Sequence, residues 1–299
     1  MTHTKMHADE VDIDESLVRR LVATQFPHWA GLPLVRVKSA GTDNALFRLG
    51  GDMLVRLPRI HWAVDDVHKE QRWLPRLAPL LPVEIPTPVA MGGPGEGFPW
   101  HWSIYRWIEG EPAGGGTLAD AGTLATEVAS FVLALQRLDT SGAPRAGRGW
   151  DLTEQDADAR EAIAALEGQL DTDAVSAAWE RGLAVPPWKG PPLWIHGDLK
   201  PDNLLCRDGH LRAVIDFGGL GVGDPAADML IAWTLLPPAA RDRYRAALDV
   251  DAATWRRGRA WALSIALIQL PYYQDTNPTL ASSARRVIAE VLEDARTDA

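Results

Sequence analysis

The apolar positions in the first third of the chain change from helical to alternating spacing. Leu17, Val18 and Leu21 recur at helical intervals, which predicts a helix that begins near Asp14 and ends before Pro27. Residues 61–81 have a similar spacing and are predicted to form a second helix. Short apolar runs around these helices predict strands. The predicted strands are 34–37, 45–49, 53–57, 85–91 and 102–108. These elements indicate a small antiparallel sheet.

The composition changes at residues 110–116, which contain four glycines and a proline. Because such a segment interrupts regular structure, it is the predicted boundary between two domains, 1–109 and 110–299. Helical spacing dominates the second domain. Its predicted helices are 118–138, 151–170, 174–181, 225–236, 239–248, 254–270 and 280–296. Short strands are predicted at 193–195, 204–207 and 213–217.

Composition and charge exclude several classes of protein. The chain has 299 residues, of which 46% are hydrophobic, as in globular proteins. The formal net charge is −10, which argues against a nucleic-acid partner and favours a cationic one. Nine of the ten net negative charges lie after residue 109. One cysteine and no long apolar run indicate a cytoplasmic protein without a disulfide or a membrane span.

Three polar residues in the second domain have the spacing of a phosphoryl-transfer site. Asp198 is followed five positions later by Asn203, and Asp216 lies 18 residues after Asp198. Their oxygen atoms suit Mg²⁺, which also binds substrate phosphates. The alternative is that both segments are ordinary turns, since Asp and Gly favour turns regardless of function.

The surrounding residues resemble a known family. His196, Gly197 and Asp198 precede Asn203, and Ile-Asp-Phe at 215–217 is followed by Gly-Asp-Pro at 223–225. Protein kinases have Arg where this chain has Gly197. The pattern instead resembles the aminoglycoside and macrolide phosphotransferases, and the resemblance extends over nearly the whole chain.

The resemblance implies an α+β, two-lobed, protein-kinase-like fold with an N-terminal antiparallel sheet lobe and a larger helical C-terminal lobe. Residues 1–109 would bind the nucleotide, and residues 110–299 would hold the catalytic loop and the acceptor pocket. Asp198 would be the catalytic base, Asn203 and Asp216 would bind Mg²⁺, and His196 would support the loop.

Arg56 takes the position at which kinases have a phosphate-binding lysine, and Glu70 is its expected helix partner. The alternative is an ordinary surface arginine and a solvated glutamate. Further candidates for nucleotide binding are two short segments. They are Ser39, Gly41 and Thr42 in a loop, and the backbone from Arg106 to Ile108 between the lobes. The loop is equally compatible with a plain hairpin.

Lys200, two residues after Asp198, is a candidate for stabilising the transferred phosphoryl group. Residues 151–173 contain eight acids and one base, and the resemblance places an acceptor wall near this segment. An acidic wall would attract a polyamine, although a solvated helix face explains the same pattern. The candidate acceptor residues are Asp151, Asp158, Trp233, Tyr272 and Asp275. Aromatic residues at helical spacing are also typical of a core.

The sequence therefore predicts a Mg²⁺-dependent phosphotransferase that moves the γ-phosphate of ATP or GTP to a hydroxyl of a small molecule. An aminoglycoside or related antibiotic is the preferred acceptor, which would imply a role in antibiotic resistance. A metabolite kinase acting on a sugar, amino alcohol or homoserine-like acceptor is one alternative. A nucleotide-binding pseudokinase is the other, because Arg56 replaces lysine. Either a monomer or a homodimer is expected.

Overall fold

A computed structural model describes residues 10–38, 41–114 and 120–297. The chain divides into two compact units. The first comprises the residues up to Gly110 together with Arg212–Gly218, and the second comprises Glu111–Leu211 and the residues from Gly219 onward. The return of Arg212–Gly218 to the first unit was not anticipated from the sequence.

The first unit opens with helix α1, Glu15–Gln25, as the spacing predicts. The Asp14 side chain accepts a hydrogen bond from the Leu17 backbone N–H at 2.7 Å, which satisfies a donor at the helix N-terminus. The helix buries one apolar face, which belongs to the same core as the inward side chains of the sheet. The buried residues of that face are Leu17, Val18, Leu21 and Val22.

A five-stranded antiparallel sheet forms most of the first unit, in the order β1-β2-β3-β5-β4. The strands are β1 (Leu34–Arg36), β2 (Asn44–Leu49), β3 (Met53–Pro58), β4 (Pro88–Gly92) and β5 (Trp102–Arg106). Burial alternates along β2 and β3, as expected for a sheet with one face on the core. Helix α2, Val64–Leu77, crosses between β3 and β4 and is shorter than predicted.

The second unit is mainly helical. Its helices are α3 (Ala121–Gln136), α4 (Asp156–Ala165), α5 (Thr172–Leu183), α6 (Ile231–Thr234), α7 (Pro238–Leu248), α8 (Ala252–Tyr273) and α9 (Pro278–Thr297). The short strands are β6 (Glu111–Pro112), β7 (Leu193–Ile195), β8 (Leu204–Arg207), β9 (His210–Val214) and β10 (Gly221–Gly223). The unit boundary passes through β9. No helix in the described ranges is long and apolar enough to cross a membrane.

Several predicted elements differ from those observed. The helix expected over 151–170 is a 3₁₀ turn, Leu152–Gln155, followed by α4, and Gly168 then turns with φ +75°. The helix expected over 225–236 is mostly a 3₁₀ segment, Pro225–Leu230. The strand expected at 213–217 ends at Val214, because Asp216 adopts a left-handed conformation.

Candidate active site

Arg56 and Glu70 form a buried ion pair in the first unit. Arg56 lies on β3, and its Nη1 is 2.6 Å from each carboxylate oxygen of Glu70 on α2. The Glu70 side chain is 1% exposed, and the Tyr105 hydroxyl donates a further hydrogen bond to it. These contacts therefore stabilise the Glu70 carboxylate, which would be energetically costly to bury without a partner.

The second amino group of Arg56 contacts Asp216. The Arg56 Nη2 atom lies 2.7 Å from Asp216 Oδ1, so one guanidinium bridges two carboxylates. Burial opposes the Arg56 charge, but Glu70 and Asp216 together hold the pKa of the guanidinium above its ordinary value. The first unit thus brings together three predicted site residues, and Arg56 stays cationic at any physiological pH.

Asp216 is presented by a strained turn. It has φ +63°, a conformation that costs a non-glycine residue about 1 kcal/mol or more, and the next residue, Phe217, is fully buried. The Asp216 side chain is 37% exposed. The turn therefore directs a charged carboxylate away from the core while Phe217 anchors the backbone.

The loop after β7 is held by a buried carboxylate. The backbone N–H groups of His196 and Gly197 donate to the two oxygens of Asp228 at 2.9 and 2.8 Å. Burial raises the pKa of Asp228 to about 7, although the two N–H donors oppose the rise. His196 is fully buried, and its Nδ1 accepts a hydrogen bond from the Asp198 N–H at 3.2 Å.

The position of Gly197 leaves little room for a side chain. Its φ is +78°, and a Cβ atom there would lie 2.7 Å from the Gly219 carbonyl oxygen. Both conditions disfavour any side chain here, including the arginine that protein kinases have at this position. The departure from the kinase pattern therefore has a steric cause within this loop.

The carboxylate of Asp198 is contacted on both oxygens. Arg148 Nη1 lies 2.6 Å from Oδ1, and Lys200 Nζ lies 2.8 Å from Oδ2. Asn203 donates to Oδ2 at 3.2 Å and to the Asp198 carbonyl oxygen at 2.9 Å. Burial opposes the Asp198 charge, but Lys200 and Arg148 hold its pKa well below the ordinary value. The second unit thus groups the predicted residues Asp198, Lys200 and Asn203.

Arg148 was not predicted as a site residue, and Asp228 belongs to the family pattern but was given no role. Arg148 lies in a loop between predicted helices, where the sequence gives no indication that it contacts a residue 50 positions away. Asp228 follows the Gly-Asp-Pro segment and is part of the pattern that resembles the family, but the sequence does not show that it accepts from the N–H groups of His196 and Gly197. Among residues 10–38, 41–114 and 120–297, no group of three or more His, Cys, Asp or Glu could hold a metal ion.

Comparison with known proteins decides the family. Residues 35–261 match the model of the phosphotransferase enzyme family, APH. The chain belongs to this family. It is accordingly a phosphotransferase with an alcohol group as acceptor, and the predicted α+β kinase-like fold and family resemblance are both confirmed.

Solved structures show the same fold at low sequence identity. The GDP complex of wild-type aminoglycoside 2'-phosphotransferase-IIIa is 20% identical, with a TM-score of 0.75, and the match covers 95% of this chain and 100% of that one. The GDP and kanamycin complex of APH(2")-IIIa is 22% identical, with a TM-score of 0.74 over 93% and 98% of the chains. The macrolide 2'-phosphotransferase of Brachybacterium faecium, as the apoenzyme, is 22% identical, with a TM-score of 0.61 over 92% and 98%. No curated protein matches the chain in sequence.

The nucleotide-binding candidates of this phosphotransferase lie in several segments. Ser39 is outside the described residues, and Thr42 donates through its hydroxyl to Asp43 at 2.8 Å, in the same loop as Gly41. The Arg106 N–H donates to the Thr87 carbonyl oxygen, and the Trp107 N–H to that of Asp52. These two donors are therefore used within the protein. In the described part of the chain, the Ile108 N–H has no protein acceptor.

The acceptor candidates differ in exposure. Asp151 caps the Leu152–Gln155 turn by accepting from the Thr153 N–H at 3.0 Å, and Asp158 is exposed on α4. Trp233 is 1% exposed and packs against Trp255 in a tilted arrangement, with ring centroids 4.8 Å apart. Trp233 is therefore a core residue of the phosphotransferase. The remaining two, Tyr272 and Asp275, are exposed.

Proposed function

We propose that this phosphotransferase moves the γ-phosphate of ATP or GTP to a hydroxyl group of a cationic small molecule, with an aminoglycoside as the preferred acceptor. The proposal rests on the Asp198 carboxylate, which stays anionic. Both of its oxygens are contacted by polar side chains, and Asn203 is one of these. Such a fixed anion can accept a hydrogen bond from an acceptor hydroxyl and take its proton as the phosphoryl bond forms.

Nucleotide binding is assigned to residues 1–109. Arg56 is cationic, and the Glu70 ion pair fixes its orientation, so it can take the role that lysine has in kinases. Arginine suits a phosphate because its planar guanidinium donates two parallel hydrogen bonds. The Ile108 N–H is the proposed backbone donor to the purine. Related structures hold GDP, and one is a streptomycin–ATP ternary complex.

The available oxygen atoms fit Mg²⁺. Asn203 directs its amide nitrogen at Asp198, which leaves its carbonyl oxygen for a cation, and Asp216 has a partly exposed carboxylate. Carboxylate and amide oxygens are hard ligands of the type that Mg²⁺ binds. Asn203 and Asp216 are the proposed Mg²⁺ ligands on the basis of their residue types and sequence spacing, and the ion when bound would neutralise phosphate charge.

Lys200 is proposed to contact the transferred phosphoryl group. In the free protein its ammonium group lies 2.8 Å from Asp198 Oδ2, and its side chain is 35% exposed. A flexible point charge at this position can turn to a phosphate as negative charge accumulates there.

The acceptor class rests on charge and on the related structures. Nine of the ten net negative charges lie after residue 109, and related phosphotransferases were solved with kanamycin, gentamicin or streptomycin. A polyamine would be attracted by such a field. An aminoglycoside acceptor would give the enzyme a role in antibiotic resistance.

A metabolite kinase is the second candidate. It is favoured because several acids of the 151–173 segment already have hydrogen-bond partners within that segment or close to it. Asp151 and Asp171 cap helical turns, and Asp156 accepts a hydrogen bond from Trp179. Acids used in this way are less available to a cationic acceptor. A pseudokinase is not retained, because Asp198, Asn203 and Asp216 are all present.

The test measures ADP and GDP release with Mg²⁺ and a panel of acceptors: kanamycin, gentamicin, a macrolide, homoserine, an amino alcohol and a hexose. Transfer to an aminoglycoside supports the preferred acceptor, and transfer only to a metabolite supports the second candidate. Asp198→Ala should lower kcat about 10²–10⁴-fold with unchanged nucleotide affinity. Asp202→Ala, on the same loop, is the matched control. Equal turnover in Asp198→Ala and wild type would contradict the proposal.

A further inference from the structure

The loop that contains Arg148 is hydrogen-bonded to the segment around β10. Four backbone hydrogen bonds within the second unit connect this loop to β10 and to the residues on either side of it, Gly219 and Asp224. They run from Val222 N–H to Pro144 O (2.9 Å), Ala146 N–H to Val222 O (3.2 Å), Gly147 N–H to Gly219 O (3.2 Å) and Asp224 N–H to Gly149 O (2.7 Å). Residues 144–149, here called the arginine loop, therefore have little freedom to move relative to β10.

Glycines allow this close approach. A Cβ atom at Gly221 would lie 2.3 Å from the Ala146 backbone nitrogen, and one at Gly223 would lie 2.6 Å from the Gly149 carbonyl oxygen. Gly149 itself has φ +83°, in the region that glycine adopts without strain. Backbone packs directly on backbone along this contact, which fixes the direction in which Arg148 leaves the loop.

Arg148 then contacts the catalytic loop at two adjacent acceptors. Its Nη1 donates to the Gly197 carbonyl oxygen at 2.9 Å and to Asp198 Oδ1 at 2.6 Å. Lys200 and Asn203 contact only the other oxygen, Oδ2. Oδ1 therefore depends on Arg148, and rotation of the carboxylate about its Cβ–Cγ bond is opposed from both sides.

We propose that Arg148 is a positioning residue for the phosphoryl-transfer reaction. It fixes the plane of the Asp198 carboxylate, so that this group meets the acceptor hydroxyl in one orientation. The proposal rests on the proposed function, because it assumes that Asp198 is the group that receives the hydroxyl. Since small misplacements of a reacting group lower the rate of transfer strongly, loss of Arg148 acts on kcat and leaves nucleotide binding unchanged.

The test uses Arg148→Ala in the full chain with ATP, Mg²⁺ and kanamycin. We expect kcat to fall about 100-fold, with the KM for ATP within twofold of wild type. Added guanidinium ion at millimolar concentration should restore part of the lost rate by occupying the vacated space. Arg148→Lys should keep an intermediate rate, because one ammonium group can reach Oδ1 without fixing the plane as firmly.

Arg145→Ala is the matched control. Arg145 is in the same loop, but its exposed side chain pairs with Glu154 and stacks on Trp150, and neither contact involves Asp198. This variant should keep the wild-type kcat. A wild-type rate in Arg148→Ala would overturn the proposal. A loss of rate that guanidinium does not restore and that accompanies a lower Tm would also overturn it, since it would show a structural role only.

A crystal structure of Arg148→Ala separates this proposal from the proposed function. If the Asp198 carboxylate rotates in the variant, the positioning role is supported whichever acceptor the enzyme uses. If the carboxylate keeps its orientation, the positioning role is wrong. By contrast, a wild-type enzyme that transfers no phosphate to any acceptor contradicts the proposed function and leaves this structural result valid.

Discussion

Arg56 Nη2 and Asp216 Oδ1 lie 2.7 Å apart, although 160 residues separate them in sequence. Arg56 also pairs with Glu70, so a single guanidinium joins β3, α2 and the turn after β9 within the first unit. The predicted phosphate ligand and the predicted metal ligand are therefore neighbours in the free protein. Binding of a phosphate or a cation must compete with this ion pair.

Replacement of Arg56 by alanine should destabilise the protein. Because Glu70 is 1% exposed, the change leaves a buried carboxylate without its cation, and we expect a loss of about 3–5 kcal/mol in the free energy of unfolding. Urea denaturation measures this loss. Nucleotide affinity should fall as well.

The control for this prediction is Arg48→Ala, which removes an exposed ion pair with Glu109 at 2.8 Å. Exposed pairs contribute about 0–1 kcal/mol, so this variant should unfold near the wild-type urea concentration. Equal losses in the two variants would show that burial does not govern the contribution of Arg56.

Gly197→Ala tests why the kinase arginine is absent. The substitution should cost about 1–2 kcal/mol for the left-handed backbone, plus a further penalty because the new Cβ would meet the Gly219 carbonyl oxygen at 2.7 Å. The shift should also displace Asp198 and lower kcat. Urea denaturation and steady-state kinetics measure the two effects.

Gly168→Ala separates the free-energy cost of backbone strain from the cost of the contact with Gly219. Gly168 has a similar φ of +75°, but nothing lies within 4 Å of its Cβ position. This variant should lose only the conformational part of the free energy and keep the wild-type kcat. If both variants lose the same stability, the contact with Gly219 contributes nothing.

Asp66 should make stability depend on pH. Burial raises its pKa to about 6, although Lys69 at 2.8 Å opposes the rise. Between the unfolded value of 3.8 and about 6, the folded state binds a proton that the unfolded state does not. The contribution of Asp66 to stability therefore decreases as the pH rises through this window, by at most about 1.4 kcal/mol per pH unit, and is constant above it.

Asp66→Asn removes this titration while keeping the size of the side chain. We would measure the free energy of unfolding of both proteins by urea denaturation from pH 4 to 7.5. The value for wild type should fall relative to that of the variant as the pH rises to about 6, and the difference should then stay constant. A difference that does not change with pH would show that Asp66 titrates at its ordinary pKa.

The sequence predicts the parts of this fold that are encoded locally. Helix α1 and strands β2 and β3 follow from the spacing of apolar residues, because each buries one face on a common core. Strand β10 has no such pattern. It consists of Gly221, Val222 and Gly223, pairs antiparallel with β7, and packs its backbone closely on the arginine loop.

The same distinction applies to the candidate site. Asp198, Asn203 and Asp216 were predicted because their types and spacing are fixed by phosphoryl-transfer chemistry. Arg148 was not, since its importance depends on a contact with a loop 50 residues away. Trp233 was predicted to contact the acceptor but is a core residue. An aromatic side chain at helical spacing gives the same sequence pattern whether it lines a pocket or fills a core.

The acidic segment 151–173 offers the sharpest test of a cationic acceptor. Four of its acids are exposed and cap no helix: Asp158, Glu161, Glu167 and Asp173. Changing all four to amides weakens the negative field without removing a cap. If the segment attracts the acceptor, the KM for kanamycin should rise several-fold at low salt and less at high salt, because salt screens exposed charges.

The matched control changes four exposed acids elsewhere in the chain: Asp65, Asp208, Asp242 and Glu293. It alters the net charge equally, so a general effect of charge would raise the KM for kanamycin in both variants. A rise confined to the first variant assigns attraction to the 151–173 segment. An unchanged KM in that variant would instead support a solvated helix face and show that this segment does not attract the acceptor.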